Sequence, residues 1–480
     1  MTTAQVRTLP VRNPRSGAMD YTIRPLDEAA LTALAARLRA AQPEWVAAGI
    51  AGRAAVLRAW ATDLLGASAP LFEALATDTG RRLLARSEIL TLRGMVEGYA
   101  ALGAGLLGAG SERPSVAPGI LIDTQLVPYE LAGVISPWNF PFLLSMLDAV
   151  PALLAGSTVI VKPSEVTPRF IAPLMESIAR HPALARVFAV IEGDGATGAA
   201  LISQSDIVCF TGSVATGRTV AEACARQFIP ACLELGGKDP AIVLASADAE
   251  HAAAVVLRAS VQATGQACQS LERVYVDRRI YGPFLAALVR EAEAVQLNYP
   301  DIHRGQVGPL IFARQAAIIE AQLADARAKG AQVLTGGTIE HHGGGLWLRP
   351  TVVTDVHHGM TLLSEETFGP VIPVMPFDSI DETLQLANDS VYGLSAAVFG
   401  EEVEARAVAA RLAVGAVSIN DGGLTTEAFD AEKNSFRLSG LGASRLGASG
   451  FTRFLRRRAL LIQRGQAKVM TSLDESSFSG

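Results

Sequence analysis

The chain has 480 residues, about three times the ~150 of a typical single domain, so two or three packed units are expected. Hydrophobic residues make up 50% and charged residues 18%, which excludes disorder over most of the length. The 41 basic and 47 acidic residues are mixed along the sequence and leave a net charge of -6, without the basic surplus of a nucleic-acid-binding protein.

In chain order, the start places Arg7, Arg12 and Arg15 among polar residues and prolines with no apolar segment behind the charges, and it reads as a loose tail rather than a secretory signal. Leu31, Leu34 and Leu38 then recur at helical spacing, and Trp45 precedes a further helix-like run. The pattern changes near Arg113 to Pro118. Gly119 to Tyr129, rich in Ile, Leu and Val, predicts a strand that serves either as an arm outside the main sheet or as an edge hairpin. From Leu131 onward, short apolar strands alternate with helical patterns: Leu131 to Ser136, Thr158 to Lys162, Val187 to Glu192 and Ile207 to Phe210. This rhythm predicts a mostly parallel sheet with helices on both faces, with ligands at the carboxyl ends of the strands. A second α/β region follows Gly237, with strands near Arg273 to Val276, Val352 to Val356, Val371 to Met375, Ala396 to Phe399 and Ala416 to Asn420, and with a turn at Gly336 to Gly345.

The longest uncharged run, Leu131 to Leu147, is broken by Pro137 and Pro141 and falls short of the roughly 20 apolar residues of a membrane span. Four cysteines, Cys209, Cys224, Cys232 and Cys268, lack a C-x-x-C pair, which fits a reducing, cytoplasmic compartment. The His341-His342 and His357-His358 pairs have no Cys or carboxylate at ligand spacing, so no metal site is expected.

Several loops carry candidate chemistry. Gly193-Asp194-Gly195-Ala196-Thr197-Gly198 matches a dinucleotide fingerprint, but the next strand ends in Phe210-Thr211-Gly212-Ser213 where an acidic residue should hold a ribose. Gly212 and Ser213 themselves sit between a strand and a helix, where backbone N–H groups offer an anion site or form an ordinary turn. Asn139, in Pro137-Trp138-Asn139-Phe140-Pro141, is an amide on a loop stiffened by two prolines and suits an oxyanion. Phe140, Leu144 and Leu147 fall on one helical face that lines a pocket or joins the core. Cys268 follows Gly265-Gln266-Ala267 in a loop-like stretch, unlike Cys209 and Cys224, and is either a structural thiol or a nucleophile, which needs exposure and a lowered pKa. Glu234 ends a strand at Gly236-Gly237, where a carboxylate faces a cleft and can act as general base.

Six motifs in order give the chain its resemblance to the aldehyde dehydrogenase superfamily: Pro-Trp-Asn-Phe-Pro at 137 to 141, Lys162-Pro163-Ser164-Glu165, Phe210-Thr211-Gly212-Ser213, Glu234-Leu235-Gly236-Gly237-Lys238, Gly265-Gln266-Ala267-Cys268 and Glu366-Thr367-Phe368-Gly369-Pro370. The resemblance covers nearly the whole length, more generally in the first 110 and last 15 residues. It implies an α/β fold with a Rossmann-like cofactor domain (1–112 and 130–236), an α/β catalytic domain (237–445) and a small β oligomerisation arm (113–129 and 446–480). It also implies NAD-dependent oxidation of an aldehyde to the acid, with NADP possible. Cys268 would be the nucleophile that forms a thiohemiacetal and then a thioester. Asn139 and the Cys268 N–H would hold the oxyanion, and Glu234 would activate the hydrolytic water. Trp138, Lys162, Glu165, Gly212, Ser213, Glu366 and Phe368 would bind the cofactor, with Lys162 and Glu165 at the adenosine ribose, Ser213 at the pyrophosphate, and Glu366 and Phe368 at the nicotinamide end. The Glu165 charge would oppose a 2′-phosphate and favour NAD. Gly119 to Tyr129 and Ala459 to Gln463 resemble strands that pair between subunits, which implies a homodimer or homotetramer.

The clearest departure from the family is Glu432-Lys433-Asn434-Ser435-Phe436-Arg437-Leu438-Ser439-Gly440, where many members carry Pro-Phe-Gly-Gly. The loop Asp421 to Phe436 would shape the tunnel mouth, and Phe429 and Phe436 would favour apolar or aromatic aldehydes. The alternatives are a CoA-acylating aldehyde dehydrogenase, against which Glu234 weighs, and a non-catalytic binding protein on the same fold, against which the joint presence of Asn139, Glu234 and Cys268 weighs.

Overall fold

Val- and Ile-rich runs such as Thr158–Lys162 and Ile207–Thr211 are buried along their whole length, which requires cover on both faces and a parallel arrangement. The structure, a computed structural model, describes residues 7–108 and 112–475. Its first large sheet has the order Gly440–Leu441, Ala231–Glu234, Ile207–Thr211, Leu131–Ile135, Thr158–Lys162, Phe188–Val190, and all neighbours are parallel except the two-residue edge strand Gly440–Leu441. The chain runs outward from Leu131–Ile135 to Phe188–Val190 and then returns to Ile207–Thr211 on the other side. The strand order therefore reverses beside Leu131–Ile135, and the loops after the two central strands flank a crevice there.

The second sheet has the order Gln332–Val333, Thr351–Thr354, Val371–Phe377, Leu271–Asp277, Asp239–Val243, Ser395–Phe399, Ala416–Ile419, parallel apart from its first pair. Its interior strand Asp239–Val243 is absent from the sequence reading. A third, antiparallel sheet pairs Leu455–Gln463 with Ile120–Pro128 over nine residues and adds Arg113–Pro114, so Gly119 to Tyr129 belongs to an arm.

Two further expectations are corrected. The N-terminal stretch is no loose tail over residues 9–23, because Leu9–Arg12 and Met19–Ile23 form an antiparallel hairpin. Arg15 donates to the Asn298 carbonyl at 2.8 Å, and Arg7 pairs with Asp194. Leu446, Phe451 and Phe454 lie in the core that also holds Trp60, Phe142 and Leu147. The Gly-rich stretch around 340 is not only a turn, since Glu340–His342 and Gly345–Trp347 form a small hairpin.

The same C-terminal segment is fixed by charge. Asp148, 2% exposed on the helix Pro141–Ala155, receives Arg445 at 2.7 Å and Arg453 at 2.5 Å. Burial alone would raise its pKa, yet the two guanidinium groups hold the carboxyl below the usual range. Arg445 also donates to Thr211 Oγ1 at 2.8 Å, which ties the end of a central strand to the clamp. Asp148→Ala would leave two buried cations uncompensated, and a loss of about 3–5 kcal/mol in denaturant unfolding is expected. A loss under about 1 kcal/mol would show that the cations find other partners.

Candidate active site

The loop Pro137–Pro141 leaves the carboxyl end of Leu131–Ile135 and enters a helix that begins on Pro141, where a proline needs no N–H partner. The next two N–H groups, of Phe142 and Leu143, are taken by one Glu88 carboxylate oxygen at 3.0 Å each. Burial lifts the Glu88 carboxyl to about 7. Arg81 donates to the Asn139 carbonyl at 2.7 Å, which fixes the backbone, and Asn139 Nδ2 donates to the Gln266 carbonyl at 2.8 Å. The oxyanion candidate and the loop of the candidate nucleophile are thus joined directly.

That loop holds an unusual backbone. Ala263, Thr264 and Gly265 have φ of 57°, 64° and 68°, a left-handed conformation that costs of order 1–3 kcal/mol at each non-glycine residue. Three local contacts hold it: Thr264 Oγ1 accepts from Gly308 N at 3.1 Å, Gln266 Nε2 donates to Ala263 O at 3.1 Å, and Gln266 Oε1 accepts from Ile311 N at 2.8 Å. A side chain at Gly265 would run into the backbone of Gly369 and Pro370. Cys268 follows and is partly exposed, while Cys209, Cys224 and Cys232 are buried. Burial nevertheless pushes the Cys268 thiol up to about 12; Lys433 lowers it, and Glu366, Asp239 and Glu234 add to the rise. The lowered pKa expected of a nucleophile is not present in the resting site.

Glu234 closes the strand Ala231–Glu234 and accepts from Ser435 Oγ at 2.9 Å. The two following glycines allow close approach: a Cβ at Gly237 would lie 2.6 Å from the Cys268 carbonyl, and one at Gly236 would lie 2.6 Å from Glu366. Glu366 accepts from Gly237 N at 3.0 Å and is pushed up to about 8 by burial and then by Glu272. Glu234, Cys268 and Glu366 therefore converge on one Gly-Gly turn. Trp138 meets Phe368 edge-on at 5.4 Å and Phe312 at 6.0 Å on the Asn139 side of the same region.

The expected cofactor residues follow the neighbouring strand ends. Lys162 Nζ donates to the carbonyls of Pro163 at 2.9 Å and Gly193 at 3.1 Å, with Glu165 at 3.7 Å. The Glu165 side chain is 44% exposed and open to ribose hydroxyls. The two strand-to-helix turns differ. In the Gly193–Gly198 turn, Asp194 accepts from the N–H groups of Ala196 and Thr197 and is itself paired with Arg7, so a carboxylate already occupies the place of an anion. After Gly212, Ser213 caps the helix Val214–Gln227 through Thr216 N alone, which leaves earlier N–H groups free for phosphate. A partly exposed carboxylate after one strand of the sheet and a sparsely capped helix N-terminus after another fit the two ends of a dinucleotide.

Other residues fall elsewhere. Leu147 is buried core, Leu144 packs on that core, and Phe140 lies beside Arg81. Phe429 packs on the core that Leu143 and Leu144 also flank, whereas Phe436 is 45% exposed. His342 bonds Glu340 at 2.7 Å, and His358 bonds the Tyr275 hydroxyl at 2.9 Å.

The sequence reading missed the supports. Gln266, fully buried, braces the nucleophile loop. Glu272, 2% exposed, takes Lys238 Nζ at 2.6 Å and the N–H groups of Thr367 and Phe368 at 2.8 Å each. A charged Glu-Arg pair inside the apolar run Leu271–Asp277 was the available signal.

With this geometry established, the model of the aldehyde dehydrogenase family matches residues 1–460. A Mycolicibacterium smegmatis protein named "Putative succinate-semialdehyde dehydrogenase", with NADP(+) in its name, is 36% identical over 425 residues, 87% of this chain and 82% of its own. The solved structure titled "Putative Aldehyde Dehydrogenase PutA" from Anabaena variabilis is 49% identical with a TM-score of 0.94, covering 97% of this chain and 99% of its own. The lactaldehyde dehydrogenase of Escherichia coli is 30% identical with a TM-score of 0.89, covering 95% and 96%. The chain belongs to the aldehyde dehydrogenase family.

Proposed function

We propose that this aldehyde dehydrogenase oxidises its aldehyde to the carboxylic acid through a covalent adduct on Cys268, hydrolysed by water that Glu234 activates, with NAD as cofactor and NADP as the alternative. The observation that carries the reading is the convergence of Cys268, Glu234 and Asn139: Asn139 is bonded to the loop of Cys268, and the Gly236-Gly237 turn that follows Glu234 lies against the Cys268 carbonyl.

With the thiol held near 12, a base must take its proton before attack, and Glu234 is the acceptor at hand. The sulfur then adds to the carbonyl carbon and the oxygen becomes anionic. The Asn139 amide carries two N–H groups; one is used on Gln266 O, and the other, with the Cys268 N–H, receives the oxyanion. The nicotinamide of the bound dinucleotide supplies the hydride acceptor. Loss of hydride from the adduct gives a thioester; Glu234 passes the thiol proton to solvent and then takes a proton from water, the hydroxide adds, and the acid leaves as the sulfur is released as thiolate.

Lys162 and Glu165 at the adenosine ribose, Ser213 and the amides after Gly212 at the pyrophosphate, and Trp138, Glu366 and Phe368 at the nicotinamide end complete the assignment. Glu165 favours NAD, while the M. smegmatis relative carries NADP(+) in its name. Phe429, packed with Leu143 and Leu144, supports an aldehyde with an apolar or aromatic body. Free cysteines support a cytoplasmic location. Among the described residues no helix is long and apolar enough to cross a membrane.

The strand Leu455–Gln463 has one unpaired edge and exposes Leu460 and Leu461 at 39% and 68%, which supports pairing with a second copy in a homodimer or homotetramer. Light scattering at micromolar concentration should give at least twice the 50.3 kDa of one chain, and a 50.3 kDa species would refute it.

Cys268→Ala should lower kcat/KM by on the order of 10³-fold or more while dinucleotide binding persists in calorimetry. Residual turnover within tenfold of the parent would remove Cys268 from the mechanism. Glu234→Gln should lower steady turnover by about 10²–10⁴-fold and give at most one slow equivalent of NADH per site, with an acyl mass on the Cys268 peptide. Steady turnover near the parent rate would show that another base serves the water.

A further inference from the structure

We propose that the Lys433 ammonium is the counter-charge that holds the Cys268 sulfur in its anionic, nucleophilic form. The inference deepens the reading of Cys268 as nucleophile and rests on it.

Lys433 lies in the segment where the sequence departs from the family's Pro-Phe-Gly-Gly pattern. Its Nζ is buried and has no hydrogen-bond partner among the described residues. A buried, unpaired ammonium is costly and is kept where an opposite charge arrives during function. The segment cannot easily swing to relieve it, because both sides are tied down. Lys433 N donates to Ser444 Oγ at 3.2 Å, Ser435 Oγ donates to Glu234 at 2.9 Å, Phe436 N donates to Gly393 O at 2.9 Å, and Leu438 N donates to Val391 O at 3.0 Å.

The candidate carboxylates have other donors, although Lys433 also weighs on Asp239 and lowers its pKa against the larger rise from burial. Glu432 takes the N and Oγ of Ser449 at 2.6 and 3.0 Å. Asp239 takes the N and Oγ of Ser395, Glu234 takes Ser435, and Glu366 takes Gly237 N. The charged groups that weigh on the Cys268 thiol come from four segments: Glu366 from the 366–370 loop, Asp239 from the strand Asp239–Val243, Glu234 from Ala231–Glu234, and Lys433. Of these, Lys433 alone favours the thiolate. Two of the opposing carboxyls, Asp239 at about 7 and Glu366 at about 8, are themselves partly protonated near neutral pH, mainly through burial, which leaves the lysine less contested. When Cys268 loses its proton, a buried cation without a partner and a buried anion form within one cluster, and each lowers the cost of the other.

Lys433 thus acts through Cys268 rather than on the substrate, and its effect is read in the pH dependence of thiol reactivity. The full chain is alkylated with uncharged iodoacetamide from pH 6 to 10, and the rate of labelling at Cys268 is followed by peptide mass. Lys433→Met should slow labelling at pH 7.5 about tenfold and displace the profile to higher pH, while Lys433→Arg, which restores the charge, should stay within about twofold of the parent. Superimposed parent and Lys433→Met profiles at Cys268 would overturn the inference. So would a case in which the profile is unmoved and Lys433→Met raises KM only for aldehydes bearing a carboxylate, since the ammonium would then serve the substrate. A label that misses Cys268 in the parent would overturn the nucleophile reading itself, and this inference with it.

Discussion

The buried pair Lys238–Glu272, at 2.6 Å with side chains 0% and 3% exposed, sets the spacing on which the site depends. Glu272 lies on the strand Leu271–Asp277, four residues beyond Cys268, and Lys238 directly follows the Gly236-Gly237 turn. The pair therefore locks the turn to the nucleophile loop. The remaining valences reach the third component: Glu272 accepts from the N–H groups of Thr367 and Phe368, Lys238 donates to Thr367 Oγ1 at 2.9 Å, and Thr367 Oγ1 donates to Gln322 at 2.8 Å. Arg273 donates to the Lys238 carbonyl at 2.9 Å and closes the network from the other side. A buried ion pair adds little stability over an apolar pair unless its other hydrogen bonds are satisfied, and here they are satisfied by the backbone of the segment that carries Glu366 and Phe368. The stability of the pair is thereby converted into position.

A second constraint works in the opposite direction. The left-handed turn at Ala263, Thr264 and Gly265 is unfavourable by itself and survives because Gln266 and Thr264 saturate their bonds with residues 308–311. The same turn presents the Gln266 carbonyl to Asn139. Strain in one loop is thus exchanged for a fixed distance between the two groups proposed to share one oxyanion.

Much of this was legible in the sequence because the chemistry sits where chain direction changes. Asn139, Lys162, Gly212 and Glu234 lie at or just beyond the carboxyl ends of parallel strands, and both the βαβ rhythm and the motif order point there. The strand Asp239–Val243 was missed for a local reason: Pro240 argues against a central strand, and the sheet accommodates it with a register shift at Asp239/Pro240. The N-terminal hairpin was missed because its arginines look solvated, while their partners Asp194 and Asn298 lie far along the chain. The Asp148 clamp joins positions about three hundred residues apart, and no local pattern encodes it. The electrostatic state of Cys268 was not legible, because burial in the folded site, which pushes the thiol up, is set by segments far apart in the sequence.

That raised thiol pKa follows from what the site must do. Water-excluding walls strengthen every hydrogen bond to an oxyanion, but the same walls penalise the thiolate that generates it. A site that solved this only by exposing the sulfur would weaken Asn139 as a donor, and one that solved it by packing carboxylates close would raise the thiol further, as Glu366, Asp239 and Glu234 do. Two escapes remain: a base that removes the proton only when it is needed, and a cation that meets the anion once formed. Glu234 sits at the first position, held by Ser435, and Lys433 reaches the second from two residues earlier in the same segment. On the roles proposed above, the segment that departs from the family pattern carries both the hydrogen bond that orients the base and the charge that favours the nucleophile, which would make it a determinant of when the sulfur becomes reactive.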